Sequence, residues 1–158
     1  MKICLISLGC DKNLVDSEHM LGLVAERGYT YTDDEKEADI IIVNTCCFIL
    51  DAKQESVEAI LETAKLKREG KLKALIVTGC MAQRYQDEIK EEIPEVDALL
   101  GTSSYDKIAE VIDSIFSKIH SNNLLLFPIY LLLFMLNFFI LLLIFKLHNV
   151  YIRFFYPS

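Results

Sequence analysis

The sequence predicts an α/β fold, a doubly wound parallel sheet of about five strands followed by an apolar helical tail. Three observations predict it. Short β-branched runs alternate with stretches of helical periodicity, the order expected of a parallel sheet with helices on both faces. Two of those runs, 39–44 (DIIIVN) and 74–78 (ALIVT), are almost uninterrupted apolar segments, as central strands covered on both sides must be. Charge then stops abruptly. Residues 1–113 hold all 23 Asp and Glu and 13 of the 16 Lys and Arg, −10 net, whereas 114–158 hold only Lys118, Lys146 and Arg153.

The elements follow in order. Residues 1–8 (MKICLISL) are an apolar run ended by Gly9, the first strand. Leu14, Leu21, Val24 and Ala25 recur at helical spacing until Gly28 stops that helix. Residues 29–32 give a short second strand, 33–37 an acidic loop, and 39–44 the third strand. Asp51 and Gln54 resemble a helix-capping pair, Val57, Ile60, Leu61 and Ala64 supply the apolar face, and Gly70 ends the helix. The fourth strand is 74–78. Ala82, Tyr85, Ile89 and Ile93 mark a further helix closed by Pro94. Residues 97–100 form the last strand, and Ser103 is placed to cap a final helix with Ile108, Val111, Ile112 and Ile115 inside. Right-handed crossovers make a flavodoxin-like strand order the expected topology. A chain segment of this length buries a modest core.

Composition narrows the function. The acidic first part argues against a bare nucleic-acid-binding surface, which would be basic. No basic stretch precedes an apolar run at the start, so no secretory signal peptide is expected. Five cysteines, at 4, 10, 46, 47 and 80, are odd in number and do not fit a disulfide framework. A reducing cytoplasmic setting with free thiols is expected.

The tail accounts for much of the mean hydropathy of +0.31. Residues 124–145 (LLLFPIYLLLFMLNFFILLLIF) run 22 residues without a charge. At about 1.5 Å per residue they could span a hydrocarbon core of about 30 Å. Two origins fit residues 114–158: a membrane anchor, with the helix at 124–145, or translation of a frameshifted or truncated gene. The segment lacks Ala, Gly, Thr, Gln, Asp and Glu and holds eight of the nine Phe. Its Leu, Ile, Asn and Tyr have AT-rich codons, and membrane helices normally use Gly and Ala at packing positions. Both facts favour the second origin. The flanking charges are too few to orient a membrane helix.

Three cysteines share one address. Cys10 follows the first strand through Gly9, Cys46 the third through Thr45, and Cys80 the fourth through Gly79. Ligands of open parallel sheets bind at the carboxyl ends of the strands, so three distant thiols reach one sheet edge. Each also precedes a helix, whose amino-terminal dipole favours a thiolate. Glycines let backbone approach a ligand closely. Such thiols suit an iron–sulfur cluster or zinc. Structural zinc would want a fourth Cys or His, and His19, His120 and His148 are poorly placed for it. Three ligands fit a 4Fe–4S cluster with one open iron. On position alone, three thiols that merely fill a core remain an equal alternative. Cys4, inside a strand, reads as core. Cys47 competes with Cys46, which is preferred because it follows Asn44-Thr45 directly. Asn13, Asp16 and Glu18 either bind a substrate, brace the Cys10 loop or form a solvated helix start. His19 reads as a surface histidine, and the basic run Lys65 to Lys73 as a solvated helix end.

The segments SLGCDKNLVDSE (7–18), VNTCCF (43–48) and VTGCMAQRY (77–85) resemble the amino-terminal domain of the radical S-adenosylmethionine methylthiotransferases. The resemblance covers residues 1 to about 113. The form SLGC-x-KNLVDSE and the closing GTSSYDKI are similar to the branch that modifies an aspartate of a small-subunit ribosomal protein. The tRNA-adenosine branch reads more like TYGC-x-MN and is the alternative. The resemblance implies that Cys10, Cys46 and Cys80 hold an auxiliary 4Fe–4S cluster that binds or supplies the inserted sulfur. It also implies a following barrel whose CxxxCxxC motif holds a second cluster and cleaves S-adenosylmethionine. No cysteine follows Cys80 in this sequence, so that step is expected to lie outside it. A standalone iron–sulfur module and a membrane-tethered interaction protein are the other readings.

Overall fold

Five strands pair side by side, all parallel, in a computed structural model that describes residues 1–118. The strands are β1 (Lys2–Ser7), β2 (Thr30–Tyr31), β3 (Ile40–Thr45), β4 (Ala74–Gly79) and β5 (Ala98–Leu100). Their spatial order is β2-β1-β3-β4-β5, the flavodoxin-like order expected from the sequence. The helices are α1 (Asp11–Glu26), α2 (Leu50–Arg68), α3 (Cys80–Arg84) and α4 (Gln86–Glu92). A 3₁₀ turn (Tyr105–Lys107) leads into helical residues 108–118. Met1–Ile115 make one compact unit.

Both central strands are buried along their whole length, which is why they read as unbroken apolar runs. Successive side chains point to opposite faces. On one face Ile41, Val43, Leu75 and Val77 pack with Ile60 and Ala64 of α2 and with Met81, Ala82 and Ile89. The alternating positions Ile40, Ile42 and Ile76 are equally buried, as are Met20 and Val24 of α1 and Ile108 and Ile112. Each such fully buried aliphatic side chain contributes about 1.5–3 kcal/mol.

Some local expectations change. The inner face of α1 is Asn13, Asp16, Ser17, Met20 and Val24, while Leu14 and Val15 are exposed. The helix starts at a polar sheet end, so its first turn buries polar groups instead of leucine. Asp51 and Gln54 do not cap α2: Ile49 occupies the cap position without a side-chain bond, and Gln54 bonds Glu58 one turn on. Ser56 and Thr63 lie inside α2, whereas Val57 and Leu61 are partly exposed. The helix expected around Tyr85 is two short helices, because Tyr85 leaves helical geometry at φ −122°, ψ 38°. Ser104, not Ser103, precedes the last turn, and it makes no side-chain cap bond.

The segment 124–145 proposed as a membrane helix lies outside the described residues. Among the described residues no helix is long and apolar enough to cross a membrane.

Candidate cysteine site at the sheet edge

Strand register dictates the site. Ser7 pairs with Asn44, Asn44 with Thr78, and Thr45 with Gly79, so β1, β3 and β4 finish level with one another. Cys46 is the next residue after β3 and Cys80 the next after β4. Cys10 follows β1 by a short turn and occupies the cap position of α1. Cys10, Cys46 and Cys80 together line one cleft of about 1090 Å³, with Ser7, Leu8, Gly9 and part of the α2 start. Cys47 does not line it. It lines a neighbouring cleft with Cys80 and packs against the core beside α2. Cys10 is exposed, Cys80 half-buried and Cys46 buried.

Two glycines make the approach possible. Gly9 has φ +91°, and a Cβ there would lie 2.7 Å from Cys46 Sγ. Gly79 has φ +96°, and a Cβ there would lie 2.3 Å from the Thr45 carbonyl oxygen. Both conformations disfavour any residue with a side chain. The Gly9 turn therefore packs directly on the Cys46 side chain, and the Gly79 turn on the Thr45 backbone.

Hydrogen bonds fix the turns. Asn13 Nδ2 donates to the Leu8 carbonyl at 2.7 Å and to the Thr45 carbonyl at 3.1 Å. Asn44 Nδ2 donates to the Asn13 carbonyl at 2.9 Å and to Ser17 Oγ at 3.0 Å. Thr45 Oγ1 donates to the Thr78 carbonyl at 2.6 Å. Ser56 Oγ accepts from the Cys46 N–H at 3.0 Å and donates to the Cys46 carbonyl at 2.9 Å. Asn13, Ser17, Asn44, Thr45, Ser56 and Thr78 are all nearly or fully buried. Buried polar groups at this density need partners, and here the partners are the backbones that carry the cysteines.

The electrostatics suit a cationic ligand. Burial pushes the Cys80 thiol above its ordinary pKa, and the thiols of Cys47, Cys46 and Cys10 push it the same way, while Lys12 pulls it down slightly. Neighbouring thiolates repel one another unless a metal takes up their charge. Cys10 stands at the start of a 16-residue helix, the position expected for it. The other two do not stand at such a start. Cys80 opens a helix of 5 residues, too short for a useful dipole, and Cys46 is separated from α2 by Cys47, Phe48 and Ile49. Among the described residues no three His, Cys, Asp or Glu side chains crowd around a point that could hold a single metal ion. The three thiols line a cleft, and cysteine thiolates are the residue type that binds iron–sulfur clusters.

The other singled-out residues fall elsewhere. Cys4 is buried under the sheet, its thiol pushed up to about 11 by burial and then by Glu35, Asp33 and Asp34. Asp16 is buried and pairs with Lys12, whereas Glu18 is exposed. His19 is exposed and meets Tyr105 edge to face at 5.6 Å. Lys67, Arg68, Lys71 and Lys73 pair with Asp97, Glu95, Glu69 and Asp39. Asn44, Thr45, Ser17 and Ser56 carry no sequence prediction. Their signals are membership of the segments 7–18 and 43–48, for all but Ser56, and polarity at strand ends and on helix faces where apolar residues would serve the core.

A sheet of this order with three thiols at its carboxyl edge defines an α/β domain with a cysteine-lined cleft. The chain belongs to the family described as uncharacterized protein family UPF0004, which matches residues 2–101. It is 70% identical over 115 residues to a ribosomal protein uS12 methylthiotransferase RimO of Lachnoclostridium phytofermentans, covering 73% of this chain and 26% of the relative. It is 62% identical over 114 residues to the protein of that name from Natranaerobius thermophilus, covering 72% and 26%. With that of Clostridioides difficile it shares 56% over 120 residues, covering 76% and 27%. The chain thus spans about a quarter of the length of the curated relatives it matches.

Proposed function

We propose that Cys10, Cys46 and Cys80 hold a 4Fe–4S cluster, and that the chain serves as the cluster-carrying amino-terminal part of a methylthiotransferase acting on ribosomal protein uS12. The observation that carries this is the shared cleft. Three thiols from three separate strand ends line it, while Cys4 and Cys47 stay outside. Three cysteines leave one iron of such a cluster without a protein ligand, and an external sulfur can bind there when the cluster is present. The chain's own residues hold the thiols at fixed places: Gly9 and Gly79 by close approach, Asn13, Asn44 and Ser56 by hydrogen bonds. The substrate assignment rests on the names of the relatives and on the SLGC-x-KNLVDSE form of the first motif. S-adenosylmethionine cleavage belongs to a part of the full-length enzyme beyond the matched residues.

The test is anaerobic reconstitution of the full 158-residue chain with iron and sulfide in mild detergent. The expected product carries about four irons per chain and a broad visible absorbance of iron–sulfur type. A Cys10, Cys46 and Cys80 triple alanine variant should carry none. Retention of iron by that variant would overturn the ligand assignment.

A further inference from the structure

We infer that Asn13 is a positioning residue for the cysteine edge, its carboxamide tying the Cys10 turn to the Cys46 turn. The inference rests on the cluster reading above and adds a residue to it. Asn13 lies on the first turn of α1 and is 1% exposed. Its Nδ2 spans two carbonyls, that of Leu8 just before Gly9-Cys10 at 2.7 Å and that of Thr45 just before Cys46 at 3.1 Å. Both hydrogens of one amide group are thereby spent on the backbones that carry two of the thiols. The amide cannot be turned round, because its oxygen would then face two carbonyl oxygens. Asn44 returns the contact through the Asn13 carbonyl and is itself braced on Ser17. Asn13 Oδ1, meanwhile, is buried with no hydrogen-bond partner among the described residues. A buried acceptor without a donor costs stability. A residue serving the core alone would be apolar here, whereas one serving the two turns must be a double donor of this length.

The physical consequence is preorganisation. Cys10 is exposed on a glycine turn, and besides the Leu8 N–H bond to the Asn44 carbonyl and the packing of Gly9 on Cys46, the Asn13 amide is the side-chain tie between its turn and that of Cys46. With the bridge in place, cluster assembly does not have to order that turn. Without it, the three thiols can still reach iron, but the held geometry is lost.

The experiment compares the wild-type chain with Asn13→Asp, which keeps the shape but replaces the double donor with a carboxylate. Asn13→Ser, which shortens the side chain without adding charge, stands in if Asn13→Asp does not fold. Ile60→Val, a fully buried α2 position, controls for general destabilisation. Each is reconstituted anaerobically, and iron loss to a chelator is timed alongside the electron paramagnetic resonance signal of the reduced cluster and the urea midpoint of the apo chain. The expected result is iron loss roughly ten- to hundredfold faster than wild type for the Asn13 variant, the usual range for residues that orient metal ligands. Its resonance signal should be shifted or broadened, and Ile60→Val should behave as wild type in both. Wild-type iron retention by the Asn13 variant overturns the inference. So does equally fast loss from Ile60→Val at a comparable urea midpoint, since stability alone would then explain it. Failure of the wild-type chain to take up iron overturns the cluster reading itself, and this inference with it.

Discussion

Gly9→Ala would put a methyl group where Cys46 already stands. Gly9 has φ +91°, and a Cβ there would lie 2.3 Å from Cys46 Cβ and 2.7 Å from its Sγ. Two costs add. An L-residue with a side chain in this conformation loses about 1–2 kcal/mol. The overlap also forces something to move, and Cys46 cannot retreat freely, because Ser56 holds its N–H at 3.0 Å and its carbonyl at 2.9 Å. Forced shifts in a packed region cost about 1–3 kcal/mol. The sum, about 2–5 kcal/mol, is below the roughly 5–15 kcal/mol of a typical domain. The variant should therefore stay folded while the Cys10 and Cys46 turns are pushed apart. The assay is urea unfolding of the apo chain together with an iron count after reconstitution. A lowered midpoint and a loss of most of the iron are expected. Gly22→Ala is the control. It lies inside α1 with nothing within 4 Å of its Cβ position, so it should gain about 0.5–1 kcal/mol and bind iron normally. A Gly9→Ala chain with the wild-type midpoint and full iron would refute the close approach.

Cys46→Ala should lower iron content at least about tenfold, whereas Cys47→Ala and Cys4→Ala should stay near wild type, since only Cys46 shares the cleft with Cys10 and Cys80. Equal loss from Cys47→Ala would sink the distinction. Removing residues 119–158, which contain the uncharged run 124–145, should give a soluble chain with intact far-ultraviolet circular dichroism and iron uptake, and an unfolded product would show that the core needs those residues. Asp39 has its carboxyl held below the ordinary 3.8, first by the hydrogen bond from Lys73 and then by the backbone N–H of Lys2. Its contribution is therefore fully present above that value and disappears as the pH falls through the lower folded value. The urea midpoints of wild type and Asp39→Asn should accordingly differ at neutral pH and draw together as the pH falls below 3.8 and through the lowered folded value, and a gap that stays constant until the carboxyl is protonated would contradict the linkage.

Most of the sheet was legible because its strongest elements obey a single rule. Residues 40–45 and 74–79 are buried on both faces, so nothing but their apolar run was needed to find them, and alternation with helices gave the parallel order. The three cysteine positions were legible for the same reason, since each stands just past such a run. Helix faces were less legible. Leu14, Val15, Val57 and Leu61 follow helical spacing yet are exposed, while Asn13, Ser17, Ser56 and Thr63 lie inside. Apolar periodicity assumes that a helix packs on an apolar surface. Near the sheet edge the surface is a row of strand-end polar groups, and Asn13, Ser17 and Ser56 pack there by hydrogen bonding, whereas Thr63 bonds the Ala59 carbonyl of its own helix. The break at Tyr85 was hidden because Ala82, Tyr85 and Ile89 keep their spacing across it.

The same geometry says why the site had to be found from topology and not from a short motif. Cys10 and Cys46 are 36 residues apart, and Cys46 and Cys80 are 34 apart. Two cysteines in a CxxC motif can grip a metal before the chain around them folds. These three meet only after β1, β3 and β4 have paired in register, because that pairing alone levels Ser7, Asn44 and Thr78. A ligand bound by all three is bound by the folded chain and not by the unfolded one, so it stabilises the fold by mass action. The reverse also holds: whatever fixes the strand ends relative to one another sets how readily the thiols accept that ligand. The contacts that do so here are interactions between turns, namely Asn13 with Leu8 and Thr45, Asn44 with Asn13, Thr45 with Thr78, and Ser56 with Cys46. None of them involves a thiol. The sheet edge is thus ordered by backbone and amide chemistry, which leaves the sulfur atoms of Cys10, Cys46 and Cys80 for the cleft they line.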